Sequence, residues 1–301
     1  MPGRVLTLAA IIALTAPAAF ADMAGVERTF LERTAIAQAD VSCNLFSEGE
    51  RLALKSGLYQ AEGELLRANY SKAKITRLSD EVRAHAKALG CDHPSVLEVA
   101  ATIRSSYRQF AKTIYLEYNS ANVIWGASRS EHDKWAVMHT DKTSGIIIGL
   151  RRGDEFEDLK LAVSVPADGR PPSAVQLLMR DANKMSDPWL GQLFGTTQLA
   201  PAPRSISRPE WAGDMEQDTD STGKPYYVFY FAPKAIERLE QMDPRESVSL
   251  ELTPSPMSKA KEPTKVPLEV GDFRSARAFA LIPKPAASAI AAAEPPAAGG
   301  H

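Results

Sequence analysis

The stretch Asp92–Ile114, DHPSVLEVAATIRSSYRQFAKTI, shows most clearly how the first half of this chain folds. Its apolar residues recur at spacings of three and four, the period of one helix face: Val96, Ala100, Ile103, Tyr107, Phe110 and Ile114. Asp92 or His93 can cap such a helix, and Pro94 suits its first turn, where no amide hydrogen is needed. The stretch therefore predicts a helix that buries one stripe.

The same period extends upstream through three more predicted helices. The clearest carries a stripe of five residues: Leu54, Leu58, Ala61, Leu65 and Ala68. Ser47 and Glu50 form a capping-box pattern before it, and a third helix ends at Gly90. The first helix, from Val26 to Val41, has a weaker stripe. Because the connections near 42–46, 69–72 and 90–94 are short, we expect an up-down four-helix bundle over residues 22–119.

After Asn119 the pattern changes to alternating and β-branched runs, which predict strands. The runs are Trp135–His139, Gly145–Arg151, Leu159–Val165, Val175–Met179, Tyr226–Phe231 and Val248–Leu252. One helix is expected from Pro233 to Met242, and residues 182–224 are expected to form a long, partly ordered excursion. The sequence therefore predicts an α+β fold, with an antiparallel, sandwich-like β-rich domain over residues 120–282. The Ala- and Pro-rich tail, 283–301, is expected to be disordered.

The first 21 residues have the form of a cleavable signal peptide. Arg4 precedes the apolar run Val5–Ala16, Pro17 ends that run, and Ala19 and Ala21 are the small residues that a signal peptidase needs. An uncleaved anchor is the alternative, although Val5–Ala21 is shorter than the roughly 20 residues that span a bilayer. No later stretch is long and apolar enough to span. We therefore expect a soluble mature chain, beginning at Asp22, in the periplasm or outside the cell.

The two cysteines, Cys43 and Cys91, fall in the first and third connections of the predicted bundle. Those connections lie at the same end of an up-down bundle, and an even cysteine count in an exported chain favours a disulfide. A reactive Cys91 with His93 as its base, or a metal site formed by the pair, is the alternative. The disulfide is the leading prediction.

The composition makes nucleic acid an unexpected partner. The chain carries 35 Lys and Arg against 37 Asp and Glu, so it offers no excess of positive charge for a phosphate backbone. The five histidines show no metal-binding spacing of three or four: His85, His93, His132, His139 and His301. We expect no zinc site and no other cofactor, with calcium as a weak alternative.

That alternative rests on Asp218, Asp220 and Thr222, whose oxygens alternate before Gly223 as they do in a calcium loop. Phe229 stands where a helix-loop-helix calcium site needs a bidentate acid. Only a looser hairpin-type loop would remain, and a solvated acidic turn explains the same residues.

Trp189 and Trp211 are candidate binding residues because they fall in an otherwise polar excursion. There an aromatic side chain either packs into the core or awaits a partner, and packing is the default expectation. The same region holds four acids that a hydrolase of cell-wall or sugar substrates would need as paired carboxylates: Asp214, Glu216, Asp218 and Asp220. No serine-hydrolase, phosphate-binding or zinc-protease motif occurs.

The order of elements near the end of the chain resembles the close of invasion-associated locus B family domains. A helix from Pro233 to Leu239 precedes the strand Val248–Leu252, and Val266–Phe273 then leads into Ala276–Leu281. With Asp133–Val137 as an opening strand, the resemblance covers about residues 130–282 and implies an exported, β-rich protein without enzymatic activity. That family usually has cysteines in this domain, and this chain has none after Cys91.

The leading hypothesis is therefore an exported, non-enzymatic envelope protein that binds another protein or a cell-wall polymer. The rival is a periplasmic hydrolase whose acids lie in a loop over residues 210–224.

Overall fold

The computed structural model describes residues 23–153, 158–167, 169–191, 199–220, 222–259 and 261–283. The predicted signal peptide lies outside these residues, as does the predicted disordered tail apart from Pro283. In the part that is described, a helical N-terminal region precedes an antiparallel β-rich region, so the α+β prediction is confirmed.

Four helices form the N-terminal region: α1 (Met23–Cys43), α2 (Glu48–Arg67), α3 (Lys72–Leu89) and α4 (Pro94–Phe110). Two of the predicted caps are present. The Glu50 carboxylate accepts from the Ser47 amide at 2.8 Å, and Ser47 Oγ accepts from the Glu50 amide. His93 Nδ1 accepts from the Ser95 amide at the start of α4. Local hydrogen bonds thus fix where these helices begin.

The helices pack through two apolar clusters, one at each end of α1. At its N-terminal end, Phe30 packs with Leu65 near the end of α2 and Ile75 near the start of α3. At the other end, Ile36 and Ala39 pack with a set from α4 and its surroundings that includes Val96, Ala100 and Ile103. The start of α1 thus lies beside the end of α2 and the start of α3, and the end of α1 lies beside the start of α4. Successive helices therefore run in opposite directions, which is the up-down arrangement that the short connections predict.

The disulfide between Cys43 and Cys91 is formed, with 5.4 Å between the two Cα atoms. It joins the end of α1 to the turn before α4 and closes a separation of 48 residues. Both sulfurs are therefore bonded to each other. The alternatives of a catalytic thiol or a thiolate metal site at Cys91 are wrong.

The described residues of the β-rich region form ten strands, in the order β1-β2-β3-β4-β5-β8-β7-β6-β9-β10, with every adjacent pair antiparallel. Their bounds are β1 Tyr115–Asn119, β2 Ile124–Ser128, β3 Trp135–Thr140, β4 Ile147–Arg152, β5 Leu159–Pro166, β6 Ala174–Arg180, β7 Ser207–Thr219, β8 Pro225–Phe231, β9 Ser247–Thr253 and β10 Thr264–Glu269. The predicted sandwich-like domain is thus one continuous antiparallel sheet.

The strand β7 connects the two halves of this order. Ser207–Trp211 pair with β6, and Ala212–Thr219 pair with β8 on the other side, with an irregularity of register between Ala212 and Asp214. Strands from both halves contribute to one hydrophobic cluster, for example Leu161 of β5 and Leu250 of β9. A strand that bends at a bulge can serve two sheet halves in this way.

Four strands were not among the six that the sequence predicts: β1, β2, β7 and β10. The helical period does not continue to Ile114, because α4 ends at Phe110 and β1 follows. The strand β2 was not predicted. Most importantly, the expected excursion over residues 182–224 contains β7, so its second part is regular structure. Because both faces of β7 beyond Ala212 are largely exposed, this strand carries no alternation of apolar and polar residues.

Two helices pack on the sheet, α5 (Pro233–Gln241) and α6 (Phe273–Ala280). The second contacts α2 as well as β1, β2 and β3. Trp125 is fully buried against Phe273 and donates its indole hydrogen to the Val270 carbonyl at 2.9 Å. On the other side, Ser56 Oγ of α2 donates to the Ser275 carbonyl. The C-terminal helix therefore joins the helical region to the sheet.

None of the helices in the described part of the chain combines the length and the apolar character that crossing a membrane requires.

Removal of the disulfide tests the bundle. Replacing Cys43 and Cys91 together by Ala removes the cross-link that restricts the unfolded chain. Because the unfolded chain gains conformational entropy, we expect the free energy of unfolding to fall by about 4 kcal/mol. Urea denaturation of both proteins measures the loss. Reductant should reproduce it in the natural chain and leave the variant unchanged, and equal midpoints without reductant would contradict the structural role.

A pair of glycine substitutions tests how closely α2 approaches the segment before α6. A Cβ on Gly63 would lie 2.6 Å from Asp272 Oδ1, whereas one on Gly25 would meet nothing within 4 Å. We expect Gly63→Ala to lower the melting temperature, with a cost of about 1–2 kcal/mol. Gly25→Ala should be neutral or stabilising by up to about 1 kcal/mol, because alanine favours the helix. Equal effects of the two would contradict the close approach.

Candidate functional site

The hairpin formed by β7 and β8 turns one set of side chains away from the core. Phe229 and Phe231 belong to the hydrophobic cluster, so the residues that alternate with them, Tyr226 and Tyr230, lie on the opposite face. Asp218 and Asp214 are their cross-strand partners on β7. We call this the outer face of the sheet. It holds three of the four acids of the hydrolase hypothesis.

Six side chains on or beside this face form a polar network, the outer-face cluster: Lys134, Arg151, Glu216, Asp218, Tyr226 and Tyr230. Asp218 lies at its centre. Its Oδ2 accepts from Lys134 Nζ at 2.6 Å and from Arg151 Nη2 at 2.5 Å. The Tyr226 hydroxyl donates to the same oxygen at 2.9 Å.

Arg151 extends the network to the second acid. Its Nη1 lies 3.1 Å from Glu216 Oε1, and that oxygen also accepts from the Tyr230 hydroxyl at 2.7 Å. The Arg151 side chain is 8% exposed, whereas that of Glu216 is 47% exposed. Two cations thus face two carboxylates, and the cluster is close to neutral as a whole.

Hydrogen bonding controls the ionisation of the central acid. Partial burial alone would raise the pKa of Asp218, but hydrogen bonds from Lys134, the Thr219 amide, Tyr226 and Arg151 together hold this pKa well below its usual range. Burial, and then the bond to Asp218, raise the pKa of Tyr226 to about 12. Burial and the bond to Glu216 raise the pKa of Tyr230. At neutral pH, Asp218 is therefore ionised and both tyrosines keep their protons.

This arrangement does not provide the groups that glycoside hydrolysis needs. One of the two acids would have to keep a proton to donate to the leaving group, which requires a raised pKa. Asp218 has the opposite shift, and its carboxylate is occupied by four donors. The expectation that the acids lie in a loop is also wrong, since Asp214, Glu216 and Asp218 lie on β7.

The residues considered for calcium are engaged in local hydrogen bonds. Asp220 Oδ1 accepts from the Thr222 amide, the Thr222 hydroxyl and the Lys224 amide, the pattern of a tight turn between β7 and β8. Asp218 faces two cations. Within the described ranges, no three His, Cys, Asp or Glu side chains are grouped so that they could hold a metal ion.

Comparison with known proteins gives no guide to this site. No protein family, curated protein or solved structure matches the chain. The resemblance to invasion-associated locus B domains stays a prediction, and the site has to be interpreted from its own chemistry.

The two candidate tryptophans occupy different environments. Trp211 lies on β7 at the end of its pairing with β6 and is 53% exposed, so the expectation that it packs into the core is wrong. Trp189 is half-buried, and its amide donates to Glu246 Oε1 at 2.9 Å. Glu246 is in turn paired with Arg180 in a site where both side chains are less than a tenth exposed. Trp189 is therefore tied to a buried ion pair, while Trp211 presents its ring to solvent.

Two clefts among the described residues are small. One, between α1, α2 and α4, is lined by residues including Arg33, Leu54 and Tyr107 and has a volume of about 30 Å³. Another, beside Asp272, has a volume of about 10 Å³. Volumes of this size hold one or two water molecules and are far below those of small-molecule sites. The exposed outer face is thus a better candidate for binding than either cleft.

The partners of Asp218 could not be identified from the sequence. Arg151 precedes it by 67 residues and Lys134 by 84, and no local spacing connects them. Tyr226 and Tyr230 fall in a predicted strand, but their hydroxyl contacts depend on the register of β7 with β8. The sequence feature that could have indicated the outer-face cluster is the unusually dense run of acids on β7.

Substitution of Asp218 tests the electrostatics of the cluster. We expect Asp218→Asn to lower the free energy of unfolding at pH 7 by about 2 kcal/mol, because Arg151 and Lys134 lose a charged acceptor. The folded-state pKa of Asp218 is depressed, so its contribution is present above the ordinary pKa of 3.8 and is lost as the pH falls below it. Urea denaturation between pH 7 and pH 2 should show the difference between the proteins shrinking. Asp214→Asn is the control, and an equal loss there would contradict the assignment.

Proposed function

We propose that this chain is an exported, non-enzymatic envelope protein whose β-rich region binds another protein or a cell-wall polymer. The observation that carries the proposal is Trp211, a large aromatic side chain that is half exposed on a regular strand beside charged residues. A rigid indole on a β-strand loses little conformational freedom on binding, and tryptophan is the residue type most enriched among binding hot spots.

The ion pairs further along β7 from Trp211 support binding over catalysis. Asp218 stays ionised and its hydrogen bonds are already satisfied, so it has no proton to donate and no free position for a metal. Fixed hydrogen-bonding groups and an exposed aromatic residue on one strand are the composition of a recognition surface. The periplasmic hydrolase remains the rival, and it would need an acid with a raised pKa elsewhere.

The disulfide supports the exported location. Structural disulfides persist in oxidising compartments such as the periplasm or the extracellular space, and Cys43–Cys91 closes a long loop without any catalytic partner. The sequence features of residues 1–21 and the resemblance to an exported family point in the same direction.

A capture experiment tests the binding function. The oxidised protein is cross-linked in envelope extract from its host, and its binding to purified cell-wall sacculi is measured in parallel. We expect Trp211→Ala to weaken the interaction about 30-fold, the effect of removing a binding hot spot. Leu97→Ala is the matched control, because Leu97 is 50% exposed but lies on α4. Equal binding by both variants, or no partner in either preparation, would refute the proposal.

Mass measurement of the protein from its native host tests export. We expect a chain that begins at Asp22 and whose two sulfurs resist alkylation until reductant is added. An intact Met1–Ala21 segment, or free thiols, would refute the exported location and leave the binding test unaffected.

A further inference from the structure

The strand β7 has an unpaired edge along its second part. Up to Trp211 it pairs with β6, and from Ala212 onward it pairs only with β8, on the opposite side. Since β6 begins at Ala174, which lies in register with β9, no described strand continues beside Gly213–Thr219. Gly213 lies in the irregularity of register, and the six residues Asp214–Thr219 form regular strand with β8 as their one described neighbour.

The backbone groups along this edge point into solvent. The Asp220 amide donates to the Lys224 carbonyl across the β7–β8 hairpin, whereas the next carbonyl of β8, that of Pro225, accepts from the Ala167 amide on the β5 side. Hydrogen-bonded residues recur at every second position of an antiparallel pair. Counting back from Asp220, the residues of β7 that bond to β8 are therefore Asp214, Glu216 and Asp218. Met215, Gln217 and Thr219 therefore direct their amide hydrogens and carbonyls to the free edge. No described residue pairs with these groups.

The side chains beside the edge differ between the two faces of the strand. On the outer face, Asp214 is exposed and has no cation within ion-pair distance among the described residues, and Glu216 is half exposed. On the other face, Met215 is 49% exposed and Gln217 is exposed. A strand added here would place its own side chains alternately opposite acids and opposite an apolar residue.

We propose that the free edge of β7, Gly213–Thr219, is a strand-addition site for an extended polypeptide segment that carries basic residues at alternate positions with apolar residues between them. Main-chain hydrogen bonds to Met215, Gln217 and Thr219 hold the segment, and a basic side chain of the segment meets Asp214, the acid of this edge that no described cation neutralises. This inference rests on the proposed binding function and names the class of partner.

The charge of the edge argues for this occupant over a second copy of the chain. Two β7 edges pairing antiparallel would bring Asp214, which has no cation partner among the described residues, against the acids of the other copy, and like charges opposite each other are destabilising. A basic segment gains from the same side chains. A glycan chain lacks the evenly spaced amide groups that such an edge can pair with.

Peptide binding to the full oxidised chain tests the site. The probe is a capped peptide of alternating Lys and Val, about seven residues long to match the strand. A peptide with the same residues in two blocks, and one of alternating Glu and Val, are its controls. Calorimetry at two salt concentrations should show the alternating basic peptide binding about tenfold more tightly than either control, with an affinity that falls as salt rises.

Two variants at one position separate backbone pairing from charge. Gln217→Pro removes an outward amide hydrogen while leaving the bonds to β8, and we expect it to weaken binding about tenfold, the effect of one or two lost hydrogen bonds. Gln217→Val keeps the amide and should bind like the natural chain. Asp214→Lys keeps the backbone and should shift preference toward the acidic peptide. Circular dichroism confirms that each variant is folded.

The outcomes distinguish this site from the broader function. Absence of binding by the alternating peptide, equal binding by the proline variant, or self-association of the chain in place of peptide binding would each overturn the edge site. An envelope partner captured equally by the natural chain and by Gln217→Pro, but lost with Trp211→Ala, would uphold the proposed function while overturning the strand-addition site.

Discussion

The close packing of the C-terminal segment between α2 and the sheet is the constraint on which the rest of the structure depends. Phe273 and Phe279 of α6 are fully buried, and Trp125 is held to the segment by a bond to the Val270 carbonyl. On the α2 side, Gly63 leaves the space that the Asp272 carboxylate occupies, and Asp272 pairs with Arg67 at 3.0 Å. Asp272 is buried and Arg67 is partly buried, so loss of Arg67 would leave an uncompensated charge in the interior. This contact fixes where the helices lie relative to β1, β2 and β3.

A buried arginine secures the end of this segment. Arg129 has no exposed surface and donates to the carbonyls of Ala111, Thr113, Ile282 and Pro283. These four acceptors belong to two regions, the end of the helical part and the end of the described chain. A guanidinium carries several N–H donors fixed in a plane. Carbonyl oxygens placed around that plane can therefore accept its hydrogen bonds without a carboxylate. The buried groups of the protein are thus used for structure, which leaves the exposed strands to make external contacts.

The outer face of β7 and β8 combines rigidity with neutral balance. Arg151 and Lys134 offset Asp218 and Glu216, and the tyrosine hydroxyls complete their hydrogen bonds. An ionised and hydrogen-bonded network of this kind has little capacity to transfer protons. It holds the β7–β8 hairpin in a defined position, along the part of β7 that does not pair with β6. The unpaired edge of β7 results from this extension, and the exposed Trp211 lies just before it, at the end of the pairing with β6. Their position on one strand is the physical basis of the proposed binding role.

The sequence by itself determined the first five helices, two of their caps, the disulfide and six of the strands, because each depends on residues that are near in sequence or on a buried face with a regular period. It did not reveal β7, whose second part has polar residues on both faces and therefore no apolar alternation. It also did not join Asp218 to Arg151, or Arg129 to the chain end, because those contacts link residues separated by 67 and 154 positions. Only the tertiary structure decided the exposure of Trp211 and the free edge beside it, since both depend on where β6 stops pairing and β8 begins.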